Sequence, residues 1–329
     1  MRALVYDRFG GADELQLREL PVPVAGDGER VVKVIAAALN PIDWKIMQGD
    51  LQFLSGRRFP RRLGADFAGT VTAVGPGQSA FRVGDAVFGA VDMLKGDRGS
   101  VAEFALVHAD ECVTKPAAAS FVQAAGLGVA GGSALICVDG LGKARAGQRL
   151  LMVGAAGGLG SGAMQIAKQR GLHVTAVCSQ RNIEFVREYG ADTVVAYDVE
   201  DVFARHEQFD LIIDAVLAHP YARWAALLTS SGIYIATVPR LQTFLAGLRA
   251  RLISRKRVRA LVGRVNAGHF RELARLVESG QFRAAVCHTF ALADARQAVA
   301  LSMTRRARGK IVITVAAEGL SHQSAIPPG

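Results

Sequence analysis

A glycine cluster in the middle of the chain has the composition and spacing of a phosphate-binding turn. Residues 154–160 are Gly-Ala-Ala-Gly-Gly-Leu-Gly. A pyrophosphate binds free backbone N–H groups at a helix N-terminus, and a side chain at the contact would hold it away. The pattern departs from the usual G-x-G-x-x-G because an alanine takes the first position. The cluster predicts a dinucleotide site, with a purely structural tight turn as the alternative, and its candidate contacts are Ala155, Ala156, Gly157, Gly158, Leu159 and Gly160.

The residues after the next apolar run indicate which dinucleotide would bind. Sites that prefer NAD place an Asp or Glu there, which binds the ribose hydroxyls. This chain has Cys-Ser-Gln-Arg-Asn at 178–182, without an acid. The hydroxyl of Ser179 and the guanidinium of Arg181 can bind and neutralise a 2′-phosphate, so the segment favours NADPH over NADH. The alternative for Arg181 is a solvated residue of the next helix.

The elements around the cluster are those that such a site requires. Leu150–Val153 has the length of a buried strand, Ser161–Arg170 has helical spacing, and Leu172–Val177 is a second apolar run. Gly171 suits the left-handed position after a helix. The order strand, glycine turn, helix and strand is the context in which a glycine pattern indicates a dinucleotide site.

The remaining patterns predict an α/β protein with two kinds of structure. Short alternating runs between Gly, Pro and Asp fill the first third and predict a small barrel or sandwich. From about Ser120, apolar strands alternate with helices, which predicts a doubly wound parallel sheet. A helical stripe at Phe270, Leu273, Leu276 and Val277 precedes the last strand. The predicted strands outside the glycine region are Val31–Ala38, Gly69–Gly75, Val83–Gly89, Asp210–Val216, Gly232–Val238 and Lys310–Val315.

Composition limits the class of protein. The chain has 329 residues and is 50% hydrophobic, which allows two domains and a large core. We find no apolar stretch of membrane-spanning length and no signal peptide at the N-terminus, so we expect a cytoplasmic protein. The four cysteines are scattered and form no C-x-x-C pair, so we expect reduced thiols.

The positive charge is concentrated in one segment. The formal net charge is +10, and Arg249–Arg264 contains seven basic residues and no acid. We interpret this run first as a solvated helix or loop, with a rim that attracts the cofactor phosphates or a contact for an acidic surface as alternatives. The run has no aromatic side chains that could stack on bases, so a nucleic-acid partner has little support.

With these features in place, the chain resembles the medium-chain dehydrogenase/reductases, and among them the zinc-independent quinone oxidoreductases. The resemblance covers nearly the whole chain. Zinc-dependent members have Gly-His-Glu where this chain has Gly-Ala-Asp at 64–66, and because Ala65 cannot ligate a metal we expect no metal site. Besides the glycine cluster, the matching segments are Asn40-Pro41-Ile42-Asp43-Trp44-Lys45, Gly64-Ala65-Asp66-Phe67-Ala68-Gly69, Phe81-Arg82-Val83-Gly84-Asp85 and Ala307-Arg308-Gly309-Lys310-Ile311-Val312.

The resemblance implies two domains with the active site in the cleft between them. A GroES-like, β-rich catalytic domain would consist of residues 1–119 and 265–329. A Rossmann domain of residues 120–264, with a doubly wound parallel sheet, would bind NADPH. Family members commonly pair through the edges of their Rossmann sheets, so a homodimer is expected.

The resemblance also implies the catalytic candidates, which are Asn40, Asp43 and Lys45. The family's Asn-Pro-x-Asp segment lines the nicotinamide cleft. There Asn40 would contact the substrate or the nicotinamide ribose, and Lys45 would donate to the ribose or to the developing oxyanion. Several quinone reductases have Tyr in place of Lys45 and Arg in place of Met47, which leaves the identity of the donor open. The alternatives are a turn at Asn40, a capping role for Asp43 and a solvated Lys45.

Further cofactor contacts follow from the same resemblance. Tyr197 matches a tyrosine that flanks the adenine ribose phosphate, and Arg308 and Lys310 match a basic pair near the cofactor. Val216 and Val238 end their strands at the cofactor edge. The alternatives are an ordinary strand-end aromatic for Tyr197 and core packing for the two valines.

Three functions remain in view. The first is hydride transfer from NADPH, without zinc, to a quinone or to the β-carbon of an α,β-unsaturated carbonyl, so that the partner is a small molecule. The second is a pathway-specific enoyl or alcohol/ketone reductase of the same family. The third is an NADPH-binding regulatory or nucleic-acid-associated protein that would use Arg249–Arg264.

Overall fold

The computed structural model describes residues 1–77, 80–94, 96–239 and 241–316, without the side chains of residues 251–253. Residues 317–329 of the predicted catalytic domain and the side chain of Arg251 in the basic run lie outside the described residues. The strands are β1 (Arg2–Tyr6), β2 (Gln16–Glu19), β3 (Glu29–Leu39), β4 (Arg61–Arg62), β5 (Asp66–Val74), β6 (Ala86–Ala90), β7 (Phe104–His108), β8 (Cys112–Thr114), β9 (Arg149–Val153), β10 (His173–Cys178), β11 (Thr193–Ala196), β12 (Phe209–Asp214), β13 (Leu228–Ala236), β14 (Arg257–Ala260), β15 (Val286–Ala291) and β16 (Lys310–Thr314).

The helices connect and cover these strands. The α-helices are α1 (Pro41–Gln48), α2 (Gln52–Ser55), α3 (Phe121–Ala125), α4 (Gly128–Leu135), α5 (Gly158–Gln169), α6 (Ile183–Glu188), α7 (Tyr221–Ala225), α8 (Leu241–Ile253), α9 (Ala267–Glu278) and α10 (Ala295–Met303). Short 3-10 helices cover Ala12–Glu14, Ala109–Glu111, Gln180–Asn182, Val202–Arg205 and Leu292–Asp294, and a π-helix covers Ile136–Leu141.

The middle of the chain forms a doubly wound parallel sheet. Its six strands lie in the order β11-β10-β9-β12-β13-β14, and every neighbouring pair is parallel. This is the order of dinucleotide-binding sheets, in which ligands lie beyond the carboxyl ends of the strands where the order reverses. Here the reversal lies between β9 and β12, so the turn after β9 is at the expected ligand position.

The two ends of the chain together form the β-rich unit. A seven-stranded sheet has the order β15-β16-β3-β5-β6-β8, and β7 also pairs with β3. Because β16 comes from the C-terminal part and pairs antiparallel with β3, the chain returns to the first unit after building the parallel sheet. A small sheet of β2, β1 and β4 flanks it. The exact domain boundaries at 119/120 and 264/265 stay predictions.

The secondary structure predicted around the glycine cluster is confirmed. β9, α5 and β10 follow one another around the turn, and Gly171 has a φ of +76°, in the left-handed region. The predicted strands elsewhere correspond to β3, β5, β6, β12, β13 and β16 within a few residues. The basic run, interpreted as helix or loop, also contains the edge strand β14, because pairing with β13 satisfies its backbone groups.

One hydrophobic core joins the two units. Phe88 of β6 packs on Phe270 of α9 with ring centroids 5.8 Å apart, and Met152 of β9 belongs to the same cluster. The stripe predicted from Phe270 to Val277 faces this core, since all four of its residues are buried. A continuous core fixes how the two units are oriented, and therefore fixes the cleft between them. No helix in the described part of the chain is long and apolar enough to cross a bilayer.

Candidate active site

The glycines of the turn differ in what a side chain at each position would contact. A Cβ built on Gly160 would lie 2.5 Å from the carbonyl oxygen of Gly154, so Gly160 is required for the turn to close. A Cβ on Gly158 would lie 2.7 Å from Cδ of Lys310, which packs across the start of α5. A Cβ on Gly157 would meet only the Gly154 oxygen, at 3.5 Å. Of the three glycines expected to clear space, Gly157 borders open space and the other two border protein.

The open side of the turn fits a pyrophosphate. Gly157 is the N-cap of α5, and the first N–H groups of a helix have no intrahelical partner. These N–H groups and the positive end of the helix dipole favour an anion in front of Gly157. Ala155 is fully buried, whereas Ala156 and Leu159 are half-buried beside the turn. The turn therefore has the empty approach and the donors that a dinucleotide requires.

The carboxyl end of β10 brings together the residues predicted for a 2′-phosphate. Ser179 is buried, and its Oγ accepts a hydrogen bond from Nδ2 of Asn182 at 2.9 Å. Tyr197 is 66% exposed, and its backbone N–H donates to the carbonyl oxygen of Cys178 at 3.0 Å, which places it beside Ser179. Arg181 is exposed, as a residue that binds a phosphate from solvent must be.

The loop before β16 reaches the same place from the other unit. Nη2 of Arg181 donates to the carbonyl oxygen of Arg306 at 3.4 Å. Arg308 stacks over the ring of Phe185 in α6, 5.2 Å from its centroid. The N–H of Gly309 donates to the carbonyl oxygen of Ala156 at 2.8 Å, so the loop borders the glycine turn as well. The predicted contacts Arg181 and Arg308 therefore lie on one side of the candidate cofactor site.

An acid that the sequence analysis did not consider also lies here. Oδ1 of Asp198 accepts the backbone N–H of Gln180 at 2.8 Å. The segment after β10 has no acid of its own, but the parallel pairing of β10 with β11 places the end of the next strand beside it. The signal was available, because Asp198 directly follows Tyr197, a residue interpreted as lying at the end of a strand. Burial raises the pKa of the nearby Cys178 thiol to about 11, and the charge of Asp198 adds to the rise.

The edge of the site beyond β12 is shaped by a buried acid. Asp214 accepts the backbone N–H groups of Val216 at 2.9 Å and of Leu217 at 2.7 Å, and the hydroxyl of Tyr234 at 2.9 Å. These bonds hold Leu217 in the left-handed region at φ +57°. Val216 is 54% exposed, so core packing does not describe it. A Cβ on Gly154 would lie 2.8 Å from its Cγ2, so Val216 borders the glycine turn. Half-buried Val238 follows β13 at the same sheet edge.

A buried polar cluster lies on the other side of the turn, and Lys310 is its centre. The Lys310 side chain is only 4% exposed. Its Nζ donates to Oδ1 of Asn40 at 2.7 Å and to the carbonyl oxygen of Leu39 at 2.9 Å. It also forms an ion pair with Oδ2 of Asp66 at 3.0 Å. With three acceptors around three N–H donors, the ammonium is fully satisfied.

Asp66 completes the cluster and extends it to α4. Its Oδ2 accepts Nδ2 of Asn40 at 2.8 Å, and its Oδ1 accepts the N–H of Val129 in α4 at 2.7 Å. Asp66 itself is fully buried. The sequence analysis placed Asp66 in a family segment without giving it a role. The signal for a role was a charged residue between the apolar residues Ala65 and Phe67, since a buried charge needs a partner.

Asp43 lies at the start of α1 with its carboxylate turned inward. Its Oδ2 accepts the backbone N–H of Asn40 at 2.7 Å, which agrees with the capping alternative. The residue is fully buried. The pKa of Asp43 is raised to about 7, chiefly by burial. The charge of Asp66 also raises this pKa, whereas the hydrogen bond from the Asn40 N–H and the charge of Lys310 lower it. The Asn40 side chain does not cap α1, because it is committed to the buried cluster.

Lys45 lies apart from the hydrogen bonds of this cluster. Its ammonium is 5.8 Å from the ring centroid of Trp44, and the Arg305 guanidinium is 5.3 Å from the same centroid. Lys45 is half-buried, so a fully solvated side chain does not describe it. The structure thus brings Asn40 together with Lys310, the residue that the resemblance gave only as a cofactor contact. The role of Lys45 as a donor stays a prediction.

Residues 64–66 are the segment in which the sequence differs from that of zinc-dependent members of the family that it resembles. Ala65 is buried, and both carboxylate oxygens of Asp66 are engaged within the protein. A search of the described residues finds no group of three or more His, Cys, Asp and Glu side chains that could hold a metal ion. The four cysteines are free thiols.

Comparisons with known proteins match both units. A family model described as "Alcohol dehydrogenase GroES-like domain" matches residues 26–117, and one described as "Zinc-binding dehydrogenase" matches residues 189–313. The chain is 31% identical over 324 residues to the chloroplastic quinone-oxidoreductase QR1 of Triphysaria versicolor, covering 95% of this chain and 98% of the relative.

Solved structures have the same fold over almost the whole chain. The quinone oxidoreductase from Coxiella burnetii has a TM-score of 0.88 at 30% identity, covering 96% of this chain and 99% of that one. Mycobacterial Rv1454c, solved in complex with NADPH, has a TM-score of 0.83 at 25% identity, covering 96% of this chain and 100% of that one.

The two glycines Gly157 and Gly160 provide a matched pair of substitutions. Gly160→Ala forces a methyl group against backbone, and we expect it to lower the free energy of unfolding by about 1–3 kcal/mol. Gly157→Ala places the methyl group in open space, so the protein should keep its stability and bind dinucleotides more weakly. Chemical denaturation and a fluorescence titration with NADPH measure the two effects. Equal dinucleotide affinity for Gly157→Ala and the unmodified protein would remove Gly157 from the site.

The raised pKa of Asp43 predicts a pH dependence of stability. Because the folded-state pKa lies above that of the unfolded chain, the group contributes stability at low pH that is lost as the pH rises through about 7. Asp43→Asn keeps an acceptor for the Asn40 N–H and does not titrate. The free energy of unfolding of the variant should therefore rise relative to that of the unmodified protein as the pH goes from about 4 to about 7, and the difference should then level off. Denaturation curves at several pH values test this, and a constant difference would contradict it.

Proposed function

This chain belongs to the quinone oxidoreductase-like branch of the medium-chain dehydrogenase/reductases, and we propose that it transfers a hydride from NADPH, without zinc, to a quinone or an α,β-unsaturated carbonyl. One observation carries the proposal. The aliphatic chain of Lys310 packs on Gly158 while its ammonium holds Asn40, so one side chain joins the candidate dinucleotide turn to the candidate catalytic amide. The similarity to QR1 supports the class of acceptor, and that to the NADPH complex of Rv1454c supports the cofactor.

The residues that would hold NADPH surround the carboxyl ends of the parallel strands. The N–H groups at the start of α5 would bind the pyrophosphate. Ser179, Arg181, Tyr197 and Arg308 would surround the 2′-phosphate, and the two arginines would outweigh the single charge of Asp198. Val216 and Val238 would line the apolar edge of the site. Bound there, NADPH supplies the hydride.

Asn40 is the residue to which we assign the first contact with the substrate. Its amide orientation is set, because Oδ1 accepts from Lys310 and Nδ2 donates to Asp66. An amide nitrogen has a second N–H, which would donate to the substrate oxygen on which negative charge develops. A fixed donor stabilises that charge without reorganising during the reaction. Half-buried Lys45 of α1, or solvent, would supply the proton that the anion needs after hydride transfer.

The oxidation state of the cysteines indicates a cellular compartment. Three of the four are buried and none is in a disulfide bond. Free thiols are typical of reducing compartments, and we therefore propose a cytoplasmic location.

The reaction is tested by measuring NADPH oxidation with a panel of quinones, enones, enoyl thioesters and simple ketones. We expect turnover with quinones or enones and far lower kcat/KM with simple ketones. Hydride addition to a conjugated acceptor gives a delocalised anion, whereas addition to a simple ketone concentrates the charge on one alkoxide oxygen, which needs stronger stabilisation. Binding of NADPH without turnover of any acceptor would contradict the proposal. Preference for enoyl thioesters would assign the chain to the pathway-specific alternative.

A charge-neutral variant of the cluster serves as the control for positioning. Lys310→Met keeps the packing on Gly158 but leaves Asp66 buried and unpaired, which destabilises the fold. Lys310→Met combined with Asp66→Asn removes both charges and should restore stability while kcat stays about tenfold lower, because Asn40 is no longer held. A double variant with full kcat would show that the cluster is only structural.

The choice of cofactor is tested at Arg181. Arg181→Ala should raise the KM for NADPH by roughly tenfold and leave the KM for NADH almost unchanged, since a charge-assisted hydrogen bond to phosphate contributes about 1.5 kcal/mol or more. Arg187→Ala, on the exposed side of α6, is the matched control. Equal effects of Arg181→Ala on both cofactors would remove Arg181 from the phosphate site.

A further inference from the structure

Helix α8 presents its large apolar side chains to solvent. Leu241, Phe244, Leu245 and Leu248 are spaced as i, i+3, i+4 and i+7, which puts them on one face of the helix. They are 74%, 55%, 52% and 60% exposed, respectively. A surface helix normally turns such a stripe toward the core. In this protein the described part of the chain leaves the stripe exposed to solvent.

The opposite face of α8 explains the orientation. Ala250 is buried, and a Cβ on Gly247 would lie 3.4 Å from the carbonyl oxygen of Val258 in β14. Small residues on this face let the helix lie close against the edge of the sheet. The helix is therefore apolar on two sides, one of which packs on the protein.

The stripe lies in a long segment that has no acid. Between Asp214 and Glu272 the chain contains ten Arg and Lys residues and no Asp or Glu. Four of these cations are bound within the protein, and the first of them, Arg223, pairs with Asp201 at 2.9 Å. Arg264 pairs with Asp92 and Glu111, each at 3.0 Å, while Arg259 and Lys256 donate to the backbone carbonyl oxygens of Leu141 and Ala225.

Other cations of the segment remain at the surface. Arg249, Arg255 and Arg257 are exposed, and among the described residues none of them has an ion-pair partner. Arg249 follows the stripe on α8, and Arg255 and Arg257 lie between the end of α8 and the start of β14. An aliphatic and aromatic stripe thus lies next to a group of arginines.

A groove runs along the same face. It has a volume of about 320 Å³, with Phe244 and Leu248 of α8 on one wall and Val258 and Arg259 of β14 on the other. The lining combines the apolar side chains of Phe244, Leu248 and Val258 with polar groups of Thr243 and Arg259, which suits the boundary between acyl chains and headgroups.

We propose that this face, the α8 surface made of the four apolar residues and Arg249, Arg255 and Arg257, docks the protein on an anionic lipid bilayer. Helices that lie in a membrane interface bury large apolar side chains among the acyl chains and keep Arg and Lys at the headgroups. With 13 residues, α8 has the length of an interfacial helix rather than a spanning one. The inference is independent of the proposed reaction.

Two other occupants fit the α8 surface less well. A second copy of the chain, paired about a two-fold axis at this edge of the parallel sheet as the family resemblance implies, would cover the stripe but would bring two equally basic surfaces together. A nucleic acid would match the charge but not the stripe, since Phe244 is the one aromatic residue in it and leucines do not stack on bases. A surface of anionic lipids satisfies both the charge and the apolar area.

The test is flotation of the full chain with vesicles of phosphatidylcholine alone or mixed with phosphatidylglycerol. We expect binding to the anionic vesicles that weakens with rising salt, and little binding to the neutral ones. Arg255→Gln with Arg257→Gln should weaken binding about 30-fold, since each basic residue near an anionic surface strengthens it roughly fivefold. Leu245→Gln with Leu248→Gln should weaken it by about tenfold or more.

Matched controls lie elsewhere on the surface. Val83→Gln replaces another exposed apolar residue, and Arg187→Gln replaces another exposed arginine, and both should bind vesicles normally. Thermal melting of every variant verifies that it folds. Equal binding to neutral and anionic vesicles would overturn the proposal. So would unchanged binding of both double variants to the anionic vesicles. A dimer that Leu245→Gln with Leu248→Gln dissociates would assign the surface to a second copy, and salt-dependent RNA binding without vesicle binding would assign it to nucleic acid.

Discussion

The buried ammonium of Lys310 is the interaction on which the site depends. A cation removed from water is stable only if acceptors surround it, and here they come from the end of β3, the start of α1 and the start of β5. Asp66 carries the same network into α4. Since Lys310 itself begins β16, a single charge ties together segments that are far apart in the chain. Any shift of one segment would leave part of the charge unpaired.

This constraint explains the form of the cleft. Lys310 reaches the cluster only by lying across Gly158, so the start of α5 stays at a fixed distance from Asn40. The loop before β16 meanwhile pairs with the glycine turn through Gly309. The hydrophobic cluster that contains Phe88 and Phe270 of the β-rich unit also contains Met152 of the parallel sheet, so packing holds the two units together. The candidate cofactor turn and the candidate catalytic amide are thus held by polar contacts on one side and by packing on the other.

Particular residues show which features of the structure could be predicted from the sequence. The strand, turn and helix from Leu150 to Arg170 were predictable because their periodicity and glycines are local properties. The partner of Asn40 was not, since Lys310 is 270 positions away and meets it only after the chain has built a complete parallel sheet. In the same way, Asp198 reaches Gln180 through the pairing of β10 with β11. The exposure of the apolar stripe on α8 was not predictable either, because it depends on which of the two apolar faces of the helix packs against the sheet.

By itself, the sequence determined the α/β class, the position of the dinucleotide turn and the alanine at residue 65. These features depend on residue type, spacing and neighbours within a few turns of chain. Only the tertiary structure decided that Gly158 makes room for a lysine, that Lys310 rather than Lys45 holds Asn40, and that an apolar stripe faces solvent. Burial and pairing decide such questions, because the energy of a charge or an apolar face depends on what folding brings beside it.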